Sequence, residues 1–436
     1  MSFPLHAIHS DALIDGGSVL YVGLFALFIW RFCFGWHSCG KRLEYINYCS
    51  LLLLLVLVIM AYNTWGFLQI AMKDTGVKWQ LLPMWLRTFA VVAPIVNLCT
   101  YVSCSLQTFR HVERIREDSG DMWSKPSLMR HDRAVQIILL PTVYSVMAFS
   151  ALTRLYVFIC SEPNPFADPD SVTDDPILLN QQIDVHTVVA RSKTCFWVGD
   201  LYESWVLYQF TELVFEVVQS GMKKQALQGP VEQKASGIAL LESMEAVKSL
   251  AWLGVWSFLI VCVGEAGYSL WLLTFHSGTP DSAKDYDESM SKFTLAGIIA
   301  SGAAIYNVWK VENTFHVPYL ESVNPNTKFL VVKILVSIAF LQRGLFKGVV
   351  MANKYLPQFL QNISKHIPFI SQLVEFSPTE FELFYASMIV FECFAIALAH
   401  HWAWSSKEAW YDEVGLGDHD VEETAALLSS QGKLYS

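Results

Sequence analysis

The chain has 436 residues, of which 53% are hydrophobic and only 16% charged, with a mean hydropathy of +0.36. Set against roughly 25% charged residues in an ordinary soluble domain, that balance excludes a soluble enzyme, a disordered chain and a secreted disulfide scaffold, and it points to a polytopic membrane protein. The net charge of −10 leaves no basic surface for nucleic acid, and the nine Cys contain no C-x-x-C pair that would announce a zinc or redox motif.

Crossing ~30 Å of hydrocarbon takes about 20 residues of helix. Nine stretches read as such spans: 17–36, 48–72, 87–109, 134–158, 197–219, 250–275, 292–311, 328–351 and 381–403. The second is the clearest, because Leu51 to Met60 is unbroken Leu, Val, Ile and Met. The first carries Arg31 and the fifth carries four carboxylates, so these are the weakest. None shows the alternation of a barrel strand. The first span does not read as a cleavable signal, since Met1 to Gly16 has Asp11 and Asp15 but no Lys or Arg.

The connections alternate in charge. Residues 110–133 hold Arg110, Arg114, Arg116, Lys125, Arg130 and Arg133, and residues 220–249 hold Lys223, Lys224, Lys234 and Lys248. The loop 159–199 is acidic, with Glu162, Asp168, Asp170, Asp174, Asp175 and Asp184, and so is 276–291. By the positive-inside rule this alternation predicts an N-terminus outside or in the lumen, a cytosolic C-terminus and an odd number of spans. Asn362-Ile363-Ser364 is the one N-x-S/T sequon and falls in a predicted outer loop, where it is either glycosylated or unused. Cys160 and Cys195 bracket the long acidic loop and either close it as a disulfide or remain thiols.

In the fifth span, Asp200-Leu201-Tyr202-Glu203 is followed by Tyr208, Phe210 and Phe215-Glu216. This series resembles the third helix of the organic solute transporter alpha family, which includes the transmembrane-184 proteins. Further matches follow in order. Lys328-Phe329 to Lys333, with Phe340 and Gln342, is similar to the family's sixth helix. Glu392, Ala395 to Ala399 and His400-His401 are similar to its last. Pro141 with Tyr144-Ser145 resembles a Pro-x-Tyr-Ser motif with one extra residue. The resemblance covers roughly 87–405. It implies an all-α seven-helix bundle, here preceded by two additional N-terminal transmembrane helices, and a division into 1–86, 87–405 and an acidic cytosolic tail 406–436. It also implies movement of amphipathic organic solutes such as steroid- or bile-acid-like anions or lipids. A single-span beta-type partner or a homo-oligomer is the expected assembly. The transporter branch carries a Cys cluster after its third helix; Met222 to Val247 holds none.

Charges at bilayer depth are expensive and normally face a partner or a watery cavity. At 100° per residue, Tyr208, Glu212, Glu216 and Gln219 share one face of the fifth span, while Asp200 and Glu203 lie nearer its outer end. Lys333 is depth-matched with Glu212 and Glu216, and Arg154 with Asp200 or Glu203. The set Asp200, Tyr202, Glu203, Tyr208, Glu212, Glu216, Lys333, Gln342 and Glu392 therefore either lines a polar solute cavity or forms packing salt bridges. Glu265, between Gly264 and Ala266-Gly267, is either a protonated, hydrogen-bonded residue or a coupling carboxylate. His400 and His401 fall where the interface would hydrate them. Ala296, Ala300 and Ala304, with Gly297 and Ser301, have the spacing that lets helices pack closely.

No phosphate loop, nucleophile elbow, HExxH helix or Schiff-base Lys is legible, so the chain reads as a non-enzyme without cofactor or metal. From Lys407 onward the tail is acidic and has little to pack, which predicts disorder. Glu423, Leu427 and Leu428 match an acidic dileucine sorting pattern, read by adaptors at endosomal or vacuolar membranes, or belong to a bland solvated tail. Location is open between those membranes and the cell surface.

Overall fold

A computed structural model describes residues 17–27, 29, 48–72, 76–117, 126–162, 164–166, 176–228, 231–275, 280–315 and 375–411, with single positions and 327–332 between 320 and 373. All elements among them are helical: α1 Gly17–Leu27, α2 Tyr48–Ala71, α3 Gly76–Leu81, α4 Met84–Glu117, α5 Pro126–Ile138, α6 Leu140–Ser161, α7 Pro176–Gln228, α8 Val231–Phe275, α9 Pro280–Phe315 and α10 Pro378–Ala403, then a 3-10 turn Ala409–Tyr411. Among the described residues, five helical stretches are long and apolar enough to cross a membrane: Leu51–Ala71, Met84–Arg114, Met129–Ser161, Val247–Phe275 and Pro378–Ala403. They match five of the nine expected spans. The expected 197–219 and 292–311 lie inside α7 and α9, which are helical but carry more polar residues. Most of 328–351 lies outside the described residues.

The α5–α6 stretch is the axis of the bundle. Residues 133–159 of it are buried throughout, with α2, α4, α7 and α10 packed around it. Pro141 has no N–H to donate, so α5 and α6 meet at a break at Leu139, yet Leu139 N donates to Val135 O and Val143 N to Leu139 O, which keeps the chain running on. The outer helices are apolar all round and bury only one face. On α2, Leu52, Val56, Ile59, Asn63, Phe67 and Ile70 face inward at helical spacing, while Leu51, Leu54, Val58, Trp65 and Leu68 point out. An outward Leu or Trp face suits hydrocarbon and would be an aggregation hazard in water.

Polar contacts join the helices where no water competes. Asn63 Nδ2 donates to Ser150 Oγ at 2.6 Å, tying α2 to α6, and Ser145 Oγ donates to Asn97 Oδ1 at 2.7 Å, tying α6 to α4. Small residues do the same work for α8 and α9: a Cβ on Gly254 would lie 3.1 Å from Ala304 Cα, so the expected close approach of α9 is used inside the bundle. α10 starts on Ser377-Pro378-Thr379-Glu380, a capping box in which Ser377 Oγ accepts from Glu380 N at 3.3 Å and Glu380 Oε2 accepts from Ser377 N at 2.8 Å.

Two expectations are corrected, and one pair of alternatives is decided. The connections 159–199 and 220–249 are largely helix, because α7 begins at Pro176 and ends at Gln228, and α8 begins at Val231. Cys160 and Cys195 are both thiols, not a disulfide. Cys195 is buried within α7 and directs its thiol to Arg191 O at 3.6 Å, because the helix through it turns the side chain into the α6–α7 packing. The chain from Lys407 to Tyr411 is folded: Trp410 and Tyr411 are buried, since two large aromatics found a socket against α5. Glu423, Leu427, Leu428 and Asn362 lie outside the described residues.

Candidate functional site

On α7, Lys193, Phe196, Trp197 and Asp200 fall at i, i+3, i+4 and i+7, which puts them on one face. α9 presents Tyr286, Asp287, Met290, Ser291, Thr294, Leu295 and Ile298 opposite. Tyr144 of α6 and Tyr385 of α10 complete a cavity of about 440 Å³. Leu295 and Ile298 are 60% and 54% exposed, so this side opens away from the core. Polar groups and five aromatic rings in a concave site match the general make-up of small-molecule pockets.

The deep side of the cavity is held firmly. Tyr144 donates its hydroxyl to Asp200 Oδ1 at 2.8 Å, and Asp200 itself is 8% exposed. The Tyr144 ring lies against Gly199, where any Cβ would come within 2.8 Å of it. On the α7–α8–α9 side, Thr194 Oγ1 and Ser269 Oγ share a hydrogen bond of 2.6 Å, and Tyr286 OH donates to Ala190 O at 3.2 Å. Near the mouth, His186 Nε2 sits 3.2 Å from Asp287 Oδ2.

The other sequence-predicted residues are distributed over separate contacts. Tyr202 OH donates to Gln136 O at 2.8 Å, and Trp205 Nε1 donates to Gln136 Oε1 at 3.0 Å, so Tyr202 fastens α7 to α5. Glu203 is buried one turn beyond Asp200. Tyr208 stacks on Trp205 at 5.2 Å and meets Trp252 and Trp256 of α8. Gln342 Nε2 donates to Glu392 Oε1 at 2.5 Å, bringing together two residues singled out separately. Glu265 accepts from Thr294 Oγ1 at 3.4 Å, and its flanking glycines admit neighbours: Gly264 faces Phe293 and Gly267 faces Tyr21, whose hydroxyl donates to Val263 O at 3.2 Å.

Lys333, the expected partner of Glu212 and Glu216, lies outside the described residues. Among the described residues, Arg133 of α5 donates to Glu212 Oε2 at 3.1 Å and also pairs with Glu216, while Arg130 Nε pairs with Glu216 Oε1 at 3.3 Å. The reason is register: residues 130 and 133 belong to helix rather than to a loop, and that helix runs beside α7. These four residues form an ion-pair cluster at the end of the bundle where α5 begins.

The same end holds a second set of contacts, in which Gln107, His111, His131 and Tyr411 were not singled out by the sequence. Gln107 Nε2 donates to His400 O at 2.8 Å and to Trp404 O at 2.9 Å. His111 Nδ1 lies 2.9 Å from His131 Nδ1, and His131 stacks on Tyr411 at 4.1 Å. Arg130 Nη1 donates to Trp410 O at 2.6 Å, and Lys328 Nζ donates to Glu408 Oε2 at 2.7 Å. Of the two histidines expected at a hydrated boundary, His401 is exposed and 2.9 Å from Arg110, but His400, one residue and about 100° away on the helix, is fully buried where α10 packs against α4. The cavity aromatics Trp197, Tyr286 and Tyr385 were equally invisible, since an aromatic at helical spacing normally signals core.

Residues 187–409, just over half of the chain, match the model of the family described as Organic solute transporter Ostalpha. Comparisons with curated proteins and with solved structures return no match.

Proposed function

This chain belongs to the organic solute transporter Ostalpha family, a family of transporters rather than enzymes, and on that premise we propose that it is a membrane carrier or facilitator of amphipathic organic solutes of steroid or lipid shape. The observation that supports this most is the cavity between α7 and α9, with Asp200 at its deep side and Leu295 and Ile298 at its open edge. A polar recess joined to an apolar side opening suits a molecule with one polar end. Such a solute would enter from hydrocarbon and keep its body there.

The membrane arrangement we propose is nine spans, the two N-terminal ones preceding a seven-helix bundle, with the N-terminus outside or lumenal and the C-terminus cytosolic. The charge alternation of the connections supports it. In that frame the Arg130–Arg133–Glu212–Glu216 cluster lies toward the cytosol and the cavity toward the outer side. A single-span beta-type partner or a second copy remains part of the proposal.

A second reading, a non-transporting subunit of a larger assembly, is favoured by helix length. At 1.5 Å per residue, the 53 residues of α7 and the 45 of α8 far exceed a ~30 Å hydrocarbon core, so both project beyond it. Uptake of labelled amphipathic solutes into vesicles holding the purified protein separates the two. Uptake above protein-free vesicles supports the carrier. No uptake, together with a high native mass, supports the subunit.

A further inference from the structure

Glu392 and Gln342 are not among the residues that line the α7–α9 cavity; they face each other. Glu392 sits near the middle of α10, about 21 Å along the helix from Pro378 and about 17 Å from Ala403 at 1.5 Å per residue. Gln342 Nε2 donates to its Oε1 at 2.5 Å. Phe346, four residues after Gln342, meets Phe384 of α10 edge to face at 5.4 Å. From 342 to 346 the chain therefore runs opposite to α10, and the polar pair belongs to a packed contact rather than to a chance touch.

That hydrogen bond uses one atom of each side chain. The other two, Glu392 Oε2 and Gln342 Oε1, are buried and have no hydrogen-bond partner among the described residues. Both are acceptors while the carboxyl is ionised, so they cannot satisfy each other. Reversing the amide does not help, since it sets an oxygen against Oε1 and strands the N–H groups instead. A cation would compensate the charge, but among the described residues none pairs with Glu392. The Cys393 thiol of α10 is within electrostatic range of Glu392 and of Cys104 on α4, and a thiol carries no positive charge.

We propose that Glu392 is a proton-binding site, with one proton held on Oε2 at neutral pH and donated to Gln342 Oε1. Acid and amide then close a ring of two hydrogen bonds, from the amide N–H to Oε1 and from the acid O–H to the amide oxygen. Both stranded oxygens gain a partner, and no charge remains at bilayer depth. The ring joins α10 to Gln342 without an ion pair. The inference stands apart from the carrier reading, because it concerns where a proton resides and not what the protein moves.

The test is infrared difference spectroscopy of the full-length protein in phosphatidylcholine vesicles at neutral pH. The parent spectrum minus that of Glu392→Gln is expected to show the carbonyl stretch of one protonated carboxylic acid, shifted on exchange into heavy water. Glu392→Gln closes the same ring as an amide pair, so it is expected to fold, and other protonated carboxyls occur in both samples and cancel. Gln342→Leu keeps the acid and removes its acceptor, so the same band should move to higher frequency. Carboxylate stretches in place of the acid band overturn the inference, and so does a band that Gln342→Leu leaves unmoved. If Glu392→Gln does not fold, the shift or constancy of the band in Gln342→Leu decides alone.

Discussion

Tyr144 reaches Asp200 across the α6–α7 interface only because the residue before the aspartate is glycine. The hydroxyl lies 2.8 Å from Asp200 Oδ1, and the ring occupies the space that a side chain at 199 would need. The glycine thus serves close approach, and the fully packed Tyr144 has no room to retreat. Gly199→Ala is expected to lower stability by about 1–3 kcal/mol, the usual cost of overpacking. Tyr144→Phe keeps the ring and loses one hydrogen bond, which costs about 1 kcal/mol. Thermal melting in detergent should rank Gly199→Ala as the more damaging, with both lowering solute uptake because both disturb Asp200.

The Arg130–Arg133–Glu212–Glu216 cluster should behave as structure. Removing one member leaves charge uncompensated in a half-buried site, so Glu216→Gln or Arg133→Met alone should cost about 3 kcal/mol. The double variant should cost less than the sum, with a coupling of about 1–3 kcal/mol. Uptake per folded molecule should stay near that of the parent protein. A loss of uptake without a loss of stability would move these residues into the solute path.

The turn after α10 should be held by Glu408. It accepts from Lys328 Nζ at 2.7 Å and from Trp410 Nε1, and the same ammonium lies 5.6 Å from the ring centres of both Trp404 and Trp410. Glu408→Gln removes the charge that faces the buried Lys328, which also donates to Val323 O at 2.8 Å, and leaves only a weaker neutral acceptor in its place. The expected result is faster proteolytic cleavage after residue 403 and a red-shifted tryptophan emission. Unchanged cleavage would mean that His131 and Arg130 hold the turn without it.

The proposed topology is checked at Asn362. Enzymatic deglycosylation should lower the apparent mass, and Asn362→Gln should abolish that shift. A cysteine introduced between 118 and 125 should resist labelling from outside intact cells; labelling there would reverse the orientation.

Sorting through the tail is checked at the dileucine. Replacing Leu427 and Leu428 by Ala should move a tagged protein from endosomal or vacuolar membranes to the cell surface. An unchanged distribution would assign the tail no sorting role.

Composition alone determined that this is a helical membrane protein, because the solvent sets that constraint on every span independently of the others. A predominantly apolar stretch of about twenty residues, as in Leu51–Ala71, needs no knowledge of its neighbours to be read. The ordered series from Asp200 to Glu216 was likewise enough to point to the family, since it is a pattern along one helix. Pairing across helices was decided by tertiary structure. Depth along the chain matched Glu212 and Glu216 with Lys333, which lies outside the described residues, but depth is one coordinate of three, and only the rotation and neighbour order of the helices bring Arg133 and Arg130 to those carboxylates. The same holds for the cavity. Trp197, Tyr286 and Tyr385 look like core aromatics when each helix is read by itself, and only the packing of α7 against α9 and α10 turns their faces toward one space. The tail shows the converse limit. Its charge predicted disorder through residue 407 and beyond, yet two aromatic side chains with a buried socket outweighed that average as far as Tyr411.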